Sequence, residues 1–176
     1  MTTALSGMKR GAAVSADGRY RYSLSRTWDP TPETTDPHRP VVWVMLNPSI
    51  ADDTIDDPTI VRCVNHTRRW GFCSILVVNL FAYRATDPRD LTAAARAGID
   101  VVGPLNDDML AAAAVGGARL VAAWGAAVWA ERRANDVLDV LTRTGESVLC
   151  LGRTSGGHPV HPLVRRRVRD LEVFRA

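Results

Sequence analysis

The sequence predicts an α/β fold: a single domain of three layers, α/β/α, around a mainly parallel central sheet of about four strands, with an N-terminal β-hairpin. Short apolar runs alternate along the chain with longer segments of helical composition. Strands that alternate with helices form βαβ units, whose strands pair in parallel and whose helices cover the sheet. The first run, over residues 41–46, is apolar at every position, which is typical of a strand buried on both faces.

The hairpin is predicted over residues 11–28. Apolar and polar residues alternate there around Asp17-Gly18, a pair that favours the tight turn between two strands. Four prolines between residues 29 and 40 then indicate a loop.

Four apolar runs supply the parallel strands, and the segments between them supply the helices. The predicted strands are residues 41–46, 74–79, 120–123 and 147–151, and the predicted helices are residues 57–70, 87 onward, 103–116 and 126–143. Two helices begin with Asp-Pro, in which Asp caps free backbone N–H groups and Pro fits the first helical position. A basic helix or strand closes the chain.

Length and composition exclude several classes of protein. The 176 residues fit one domain, since domains usually contain about 100–200 residues, and an apolar content of 46% excludes global disorder. There is no run of about 18 apolar residues, and residues 1–8 lack the layout of a signal peptide. We therefore expect no membrane partner, a cytoplasmic location, a flexible N-terminus over residues 1–10 and one domain over residues 11–176.

The three cysteines do not indicate a disulfide framework. Cys63, His66 and Cys73 lie close together in the sequence, but no second pair of metal ligands follows them. Buried structural thiols are the better interpretation, and the sequence predicts neither a metal site nor a cofactor.

The net charge of +3 is unevenly distributed. Residues 1–40 carry +2, residues 41–146 carry −3 and residues 147–176 carry +4. The last segment includes Arg165, Arg166 and Arg167, which can contact phosphates but on charge alone fit a solvated helix face better.

Polar and aromatic residues follow the end of each predicted strand. They are Asn47-Pro48-Ser49 and the acidic loop 52–57, Asn79, Trp124-Gly125, and the loop 152–162 with His158 and His161. Ligands of parallel sheets bind beyond the carboxyl ends of the strands, so these groups are expected to form one site. Each motif alone also fits a structural role as a strand terminator, a loop cap or a charged helix start.

These residues resemble a bacterial and phage family catalogued as domain of unknown function sixteen-forty-three. The resemblance rests on Arg19 to Tyr22, Met45 to Asp52, Asp56 to Ile60, Trp70-Gly71, Val78 to Pro88, Trp124-Gly125 and Gly157 to Leu163. It covers about residues 17–165, and the family label itself carries no activity.

The order of the motifs is also similar, more distantly, to the uracil-DNA glycosylase superfamily, which implies that type of fold for residues 11–176. The resemblance implies that Asn47 positions the attacking water, that Asn79 reads the base and that His161, or alternatively His158, faces the leaving base. The final motif lacks the Ser that stands between its prolines in that superfamily, and the loop 52–57 is unusually acidic for a DNA-binding segment.

N-glycosidic hydrolysis needs a donor for the departing base and a base for the water. Asn47 is a poor proton acceptor, so one acid of the loop 52–57 is expected to supply the base, and we select Asp52. The full set of predicted site residues comprises Asn47, His161 and Asp52 as catalytic, Asn79, Phe81, Tyr83 and Ser49 as base-binding, and Arg153, Gly157, His158, Arg165 and Arg166 as phosphate-binding.

The resemblance and these residues lead to three candidate functions. The first is a DNA glycosylase-like enzyme of DNA repair, with DNA as its partner and a damaged or modified base as its substrate. The second is a nucleoside or nucleotide hydrolase or transferase, in which the acidic loop holds a magnesium-bound phosphate. The third is a non-catalytic nucleic-acid-binding module.

Overall fold

A seven-stranded mixed sheet forms the centre of the fold. The computed structural model describes residues 7–49, 51–117, 119–164 and 170–175. The strands are β1 (Lys9–Val14), β2 (Arg21–Thr27), β3 (Val41–Met45), β4 (Ser74–Asn79), β5 (Arg119–Ala122), β6 (Val148–Cys150) and β7 (Glu172–Arg175), in the spatial order β1-β2-β4-β3-β5-β6-β7.

Among the described residues the chain forms four α-helices: α1 (Pro58–Arg69), α2 (Pro88–Arg96), α3 (Asn106–Gly116) and α4 (Glu131–Leu141). Both predicted Asp-Pro helix starts are confirmed. The Asp57 carboxylate accepts a hydrogen bond from the backbone N–H of Ile60, and the Asp87 carboxylate accepts one from Arg89. None of these helices is long and apolar enough to cross a membrane.

The sheet differs from the predicted one in size and in strand direction. Its four central strands, β4, β3, β5 and β6, are parallel neighbours, but β2 pairs antiparallel with β4 and β7 pairs antiparallel with β6. The expectation of a mainly parallel sheet of about four strands therefore becomes a mixed sheet of seven. The N-terminal hairpin extends the sheet through the pairing of β2 with β4, and most of β2 is buried. Residues 9 and 10, assigned from the sequence to a flexible N-terminus, belong to β1.

Two helices start later than predicted. Gly103, the expected start of α3, has φ = 88°, which is outside the helical region and favours glycine. A Cβ atom there would lie 2.9 Å from the ring of Tyr20, so the position also has no room for a side chain. Helix α3 begins at Asn106. A short 3-10 turn over Val128–Ala130 precedes α4.

The sheet is covered on both faces, which gives three layers. Alternate residues of β3 belong to separate core clusters: Val42 and Val44 pack with apolar residues of α2, α3 and α4, whereas Val41, Trp43 and Met45 pack with those of α1. A strand covered on both sides is apolar at every position, which is the pattern of residues 41–46.

His66 of α1 is buried in the second cluster between aromatic rings. It stacks on Trp70 at 5.6 Å and lies 6.1 Å from Trp43, measured between ring centroids. Burial, together with the smaller effect of the nearby Arg69 and Arg62 charges, lowers the pKa of His66 to about 4. The imidazole is therefore neutral at pH 7 and packs between the indole rings of Trp43 and Trp70.

We expect the protein to lose stability as the pH falls from about 6.5 towards 4, since the unfolded chain then binds a proton that folded His66 does not. Replacing His66 with Phe should remove up to about 1–3 kcal/mol of this pH-dependent loss. The measurement is the free energy of unfolding in denaturant at several pH values. His38→Phe, at an exposed histidine, is the matched control; an unchanged pH dependence in His66→Phe contradicts the prediction.

Candidate functional site

A cavity of about 570 Å³ lies beyond the carboxyl ends of the central strands. This volume is in the range of small-molecule sites. Its polar lining consists of Arg21, Asn47, Ser49, Asp57, Thr59, Asn79, Thr86 and His161, and its apolar lining includes Met45, Ile60, Trp124 and Trp129. The structure thus brings together four of the predicted site residues, Asn47, Ser49, Asn79 and His161.

The pairing of β3 with β4 brings the two asparagines together. Met45, the last residue of β3, is the register partner of Asn79. The hydrogen bond from Leu80 N to the Met45 carbonyl (2.9 Å) continues the ladder past the strand ends. Asn47, two residues beyond Met45, therefore lies at the same edge as Asn79.

Asn47 is held in place by its amide nitrogen. Nδ2 donates to the carbonyl oxygens of Ala85 (2.6 Å) and Pro48 (3.0 Å). Both N–H donors of the amide are thereby occupied, and Oδ1 remains as an acceptor. Asn47 can therefore orient a water by accepting a hydrogen bond, but it cannot take the proton of that water.

His161 is positioned by the glycine-containing loop that follows β6. The loop closes on itself through hydrogen bonds from Val160 N to the Gly152 carbonyl (2.9 Å) and from Thr154 N to the His158 carbonyl (2.8 Å). Nδ1 of His161 accepts a hydrogen bond from Leu163 N at 3.2 Å, so the neutral ring carries its proton on Nε2. Burial lowers the pKa of His161, partly opposed by the Asp57 charge. At pH 7 the imidazole is a neutral donor.

Of the acidic loop, Asp57 rather than Asp52 lines the cavity. One oxygen of Asp57, Oδ1, caps α1, and none of the hydrogen bonds within the described part of the chain involves Oδ2. Asp52 instead closes its own turn: Oδ1 accepts hydrogen bonds from the Thr54 hydroxyl and from the backbone of Thr54 and Ile55, and these lower the pKa of Asp52 to about 2. The structure does not bring Asp52 to the cavity.

The rest of the acidic loop is bound to the sheet. Buried Arg26 pairs with Asp56 at 2.8 Å, and Arg10 pairs with the same carboxylate at 2.6 Å. Arg26 also donates to the Asp52 carbonyl oxygen. Over the described ranges, no group of three or more His, Cys, Asp or Glu residues has the arrangement of a metal site.

The predicted stacking residues are not part of the cavity lining. Phe81 is buried and stacks on Trp129 at 5.3 Å, so it supports a cavity residue from behind. Tyr83 packs edge-on against Tyr20 at 6.2 Å. Trp124 was indicated by the sequence as part of the Trp-Gly pair at a strand end. No sequence pattern indicated Trp129.

The predicted phosphate-binding residues also lie outside the lining. Arg153 lies over the ring of Phe174 at 4.6 Å and donates to the carbonyl oxygens of Val173 and Phe174. Gly157 is a turn residue with φ = 81°, and His158 is hydrogen-bonded within the same loop. The predicted contacts of Arg165 and Arg166 fall outside the described residues.

Arg21 lines the cavity but was not among the predicted site residues. Its side chain is buried, Nη1 donates to the Ala51 carbonyl (2.5 Å) and Nη2 donates to Asn79 Oδ1 (3.4 Å). Burial lowers the pKa of Arg21 to about 10, against the opposing effect of Asp57, so the guanidinium stays charged at pH 7. In the sequence, Arg21 was noted only as part of the stretch Arg19 to Tyr22 that resembles the family.

Comparison with known proteins identifies the family. The family model described as protein of unknown function (DUF1643) matches residues 21–163, a range that includes every polar residue of the cavity lining. Searches of curated proteins and of solved structures found no significant match to the chain. Since the family model covers well over half of the 176 residues, the chain belongs to the DUF1643 family.

Proposed function

We propose that this protein is a DNA glycosylase-like enzyme that hydrolyses the N-glycosidic bond of a damaged or modified base, with a fold of the uracil-DNA glycosylase type. The observation that carries the proposal is the lining of a single cavity by Asn47, Asp57, Asn79 and His161. These side chains are a water-orienting acceptor, a carboxylate base, an amide for the base edge and a neutral donor. The reaction needs these four roles together.

Asn47, Asp57 and His161 take part in the bond-breaking step, while Asn79 binds the base edge. The bond from the sugar C1′ to the base nitrogen breaks, and its electron pair leaves with the base. The oxygen of a water, oriented by Asn47 Oδ1, bonds to C1′ and passes a proton to Asp57. Nε2–H of His161 donates a hydrogen bond to the departing base, where negative charge develops. Asp57 then releases its proton to the base anion or to solvent.

The apolar part of the cavity suits an aromatic ring. Trp124 and Trp129 line it together with Met45 and Ile60. A base taken out of a helix needs such a wall for stacking. A volume of about 570 Å³ accommodates a base with its sugar.

A panel of substrates tests the proposal. Oligonucleotides with single uracil, 5-hydroxymethyluracil, hypoxanthine or alkylated bases, in single and double strands, are incubated with the protein, and abasic sites are detected by alkaline cleavage. The expected result is a base-specific abasic product that Asp57→Asn forms far more slowly. Free nucleosides are incubated in parallel, and release of the free base is measured. If only the nucleosides are hydrolysed, the substrate is a nucleoside and not DNA. No product from any substrate would overturn the proposal.

The alternative with a magnesium-bound nucleotide receives less support from the geometry. It needs several carboxylates of the acidic loop at one ion. Asp52 is bound within its own turn and Asp56 is paired with two arginines, which leaves Asp57 as the loop carboxylate at the cavity.

Replacing Trp129 with Ala should weaken substrate binding between about fivefold and a hundredfold, because stacking on an aromatic ring contributes about 1–3 kcal/mol per base. Trp129 is 46% exposed, so the fold should tolerate the change. The measurement is the KM for the substrate found in the panel. Val128→Ala, at an exposed neighbour outside the lining, is the matched control; equal KM values for the two variants contradict a stacking role.

A further inference from the structure

The guanidinium of Arg21 is buried at the cavity without a carboxylate partner. The residue is 2% exposed, and none of the ion pairs recorded between described residues includes it. Its two terminal nitrogens donate to neutral oxygens, and its Nε has no hydrogen-bond partner in the described part of the chain.

The other buried arginine of β2 provides a comparison within the same strand. Arg26 is 0% exposed, and its Nε pairs with the Asp56 carboxylate at 2.8 Å. A buried charge is costly unless it is paired and hydrogen-bonded. Arg26 satisfies this rule within the protein, whereas Arg21, which lines the cavity, does not.

Arg21 also determines which groups Asn79 can offer. Asn79 Oδ1 accepts from Arg21 Nη2, and Asn79 Nδ2 is buried without a partner in the described residues. The donor side of the amide is therefore unused. Together, Arg21 Nε and Asn79 Nδ2 are two buried, unused donors on residues that line the cavity, and one of them belongs to a cation.

The unused donors require acceptors, and the unpaired cation requires an anion. Asp57 is the carboxylate whose charge acts most strongly on Arg21, but it is not within ion-pair distance. In the proposed reaction the group that becomes negative is the departing base, which receives the electron pair of the broken C1′–N bond.

We propose that the positive charge of Arg21 binds an anionic ligand ring, and that Arg21 stabilises the base anion as it leaves. This inference rests on the proposed function. The site should accordingly bind acidic heterocycles in their ionised form, with Arg21 Nε and Asn79 Nδ2 donating to ring or carbonyl acceptors. The ring anion is protonated afterwards by Asp57 or by solvent, so the balance is that of simple hydrolysis.

Binding of free bases tests this inference without any turnover. Calorimetry at pH 7 compares 5-nitrouracil, which is ionised at that pH, with uracil, which is neutral. We expect the wild type to bind 5-nitrouracil at least about tenfold more tightly, since hydrogen bonds to charged groups exceed neutral ones by that order. Similar affinity of the wild type for the two rings would overturn the inference. This comparison needs no variant.

Variants then test, as in a double-mutant cycle, whether Arg21 causes the preference for the ionised ring. Arg21→Gln should weaken binding of 5-nitrouracil roughly tenfold to a hundredfold and of uracil by less than about threefold, and Arg21→Lys should retain part of the preference. Circular dichroism and thermal melting check that both variants fold. Arg89→Gln removes the same charge from an exposed site and should change neither affinity.

The two proposals fail in different ways. Arg21-dependent binding of the ionised ring with no hydrolysis of any substrate would overturn the proposed function and support this inference. Hydrolysis that proceeds at the wild-type rate in folded Arg21→Gln, with no preference for the ionised ring, would support the function and overturn the inference.

Discussion

Replacing Asp57 with Asn should lower the hydrolysis rate between about a hundredfold and ten-thousandfold, the usual contribution of a general base. The substitution removes the proton acceptor while keeping the side-chain shape. The helix cap should survive, because Asn caps helices as well as Asp does. The measurement is the single-turnover rate on the substrate found in the panel, with circular dichroism to check the fold.

Asp53→Asn is the matched control, since Asp53 is an exposed member of the same loop and does not line the cavity. It makes the same charge change and should leave the rate within about twofold of the wild type. Asp52→Asn should also preserve the rate, since the Asp52 carboxylate is occupied within its own turn. If Asp52→Asn is inactive and Asp57→Asn is active, the assignment of the base is wrong.

Replacing His161 with Ala should lower the rate by about a hundredfold to a thousandfold, the cost of removing one donor to developing negative charge. The ring is a neutral donor with its proton on Nε2, because Leu163 N–H occupies Nδ1. His161→Gln retains an N–H group at a similar reach and should recover part of the loss. The measurement is again the single-turnover rate at pH 7.

The neighbouring histidine is the control for this experiment. His158 lies three residues earlier in the same loop but does not line the cavity, so His158→Ala should keep a rate within about threefold of the wild type. The reverse pattern, an inactive His158→Ala and an active His161→Ala, contradicts the assigned donor. The sequence allowed either histidine to be the functional one.

Local features could be predicted from the sequence because they depend on residues close together in the chain. The cap of α1 is an interaction between Asp57 and Ile60, three residues apart, and the Asp-Pro pair marks it directly. The apolar run of β3 reflects burial on both faces. The edges of the sheet were missed because the pairing of β2 with β4 and of β7 with β6 is a long-range choice that no short pattern marks.

The sequence by itself determined the α/β class, the central strands and the strand ends at which Asn47, Asn79 and His161 meet, because parallel strands bring their carboxyl ends to one edge. Only the tertiary structure distinguished Asp57 from Asp52, since the choice depends on which carboxylate the folded loop turns towards the cavity. It also placed Arg21 beside Asn79, 58 residues away. That contact exists because the hairpin joins the sheet, which buries the Arg21 guanidinium beside Asn79 and without a carboxylate partner among the described residues.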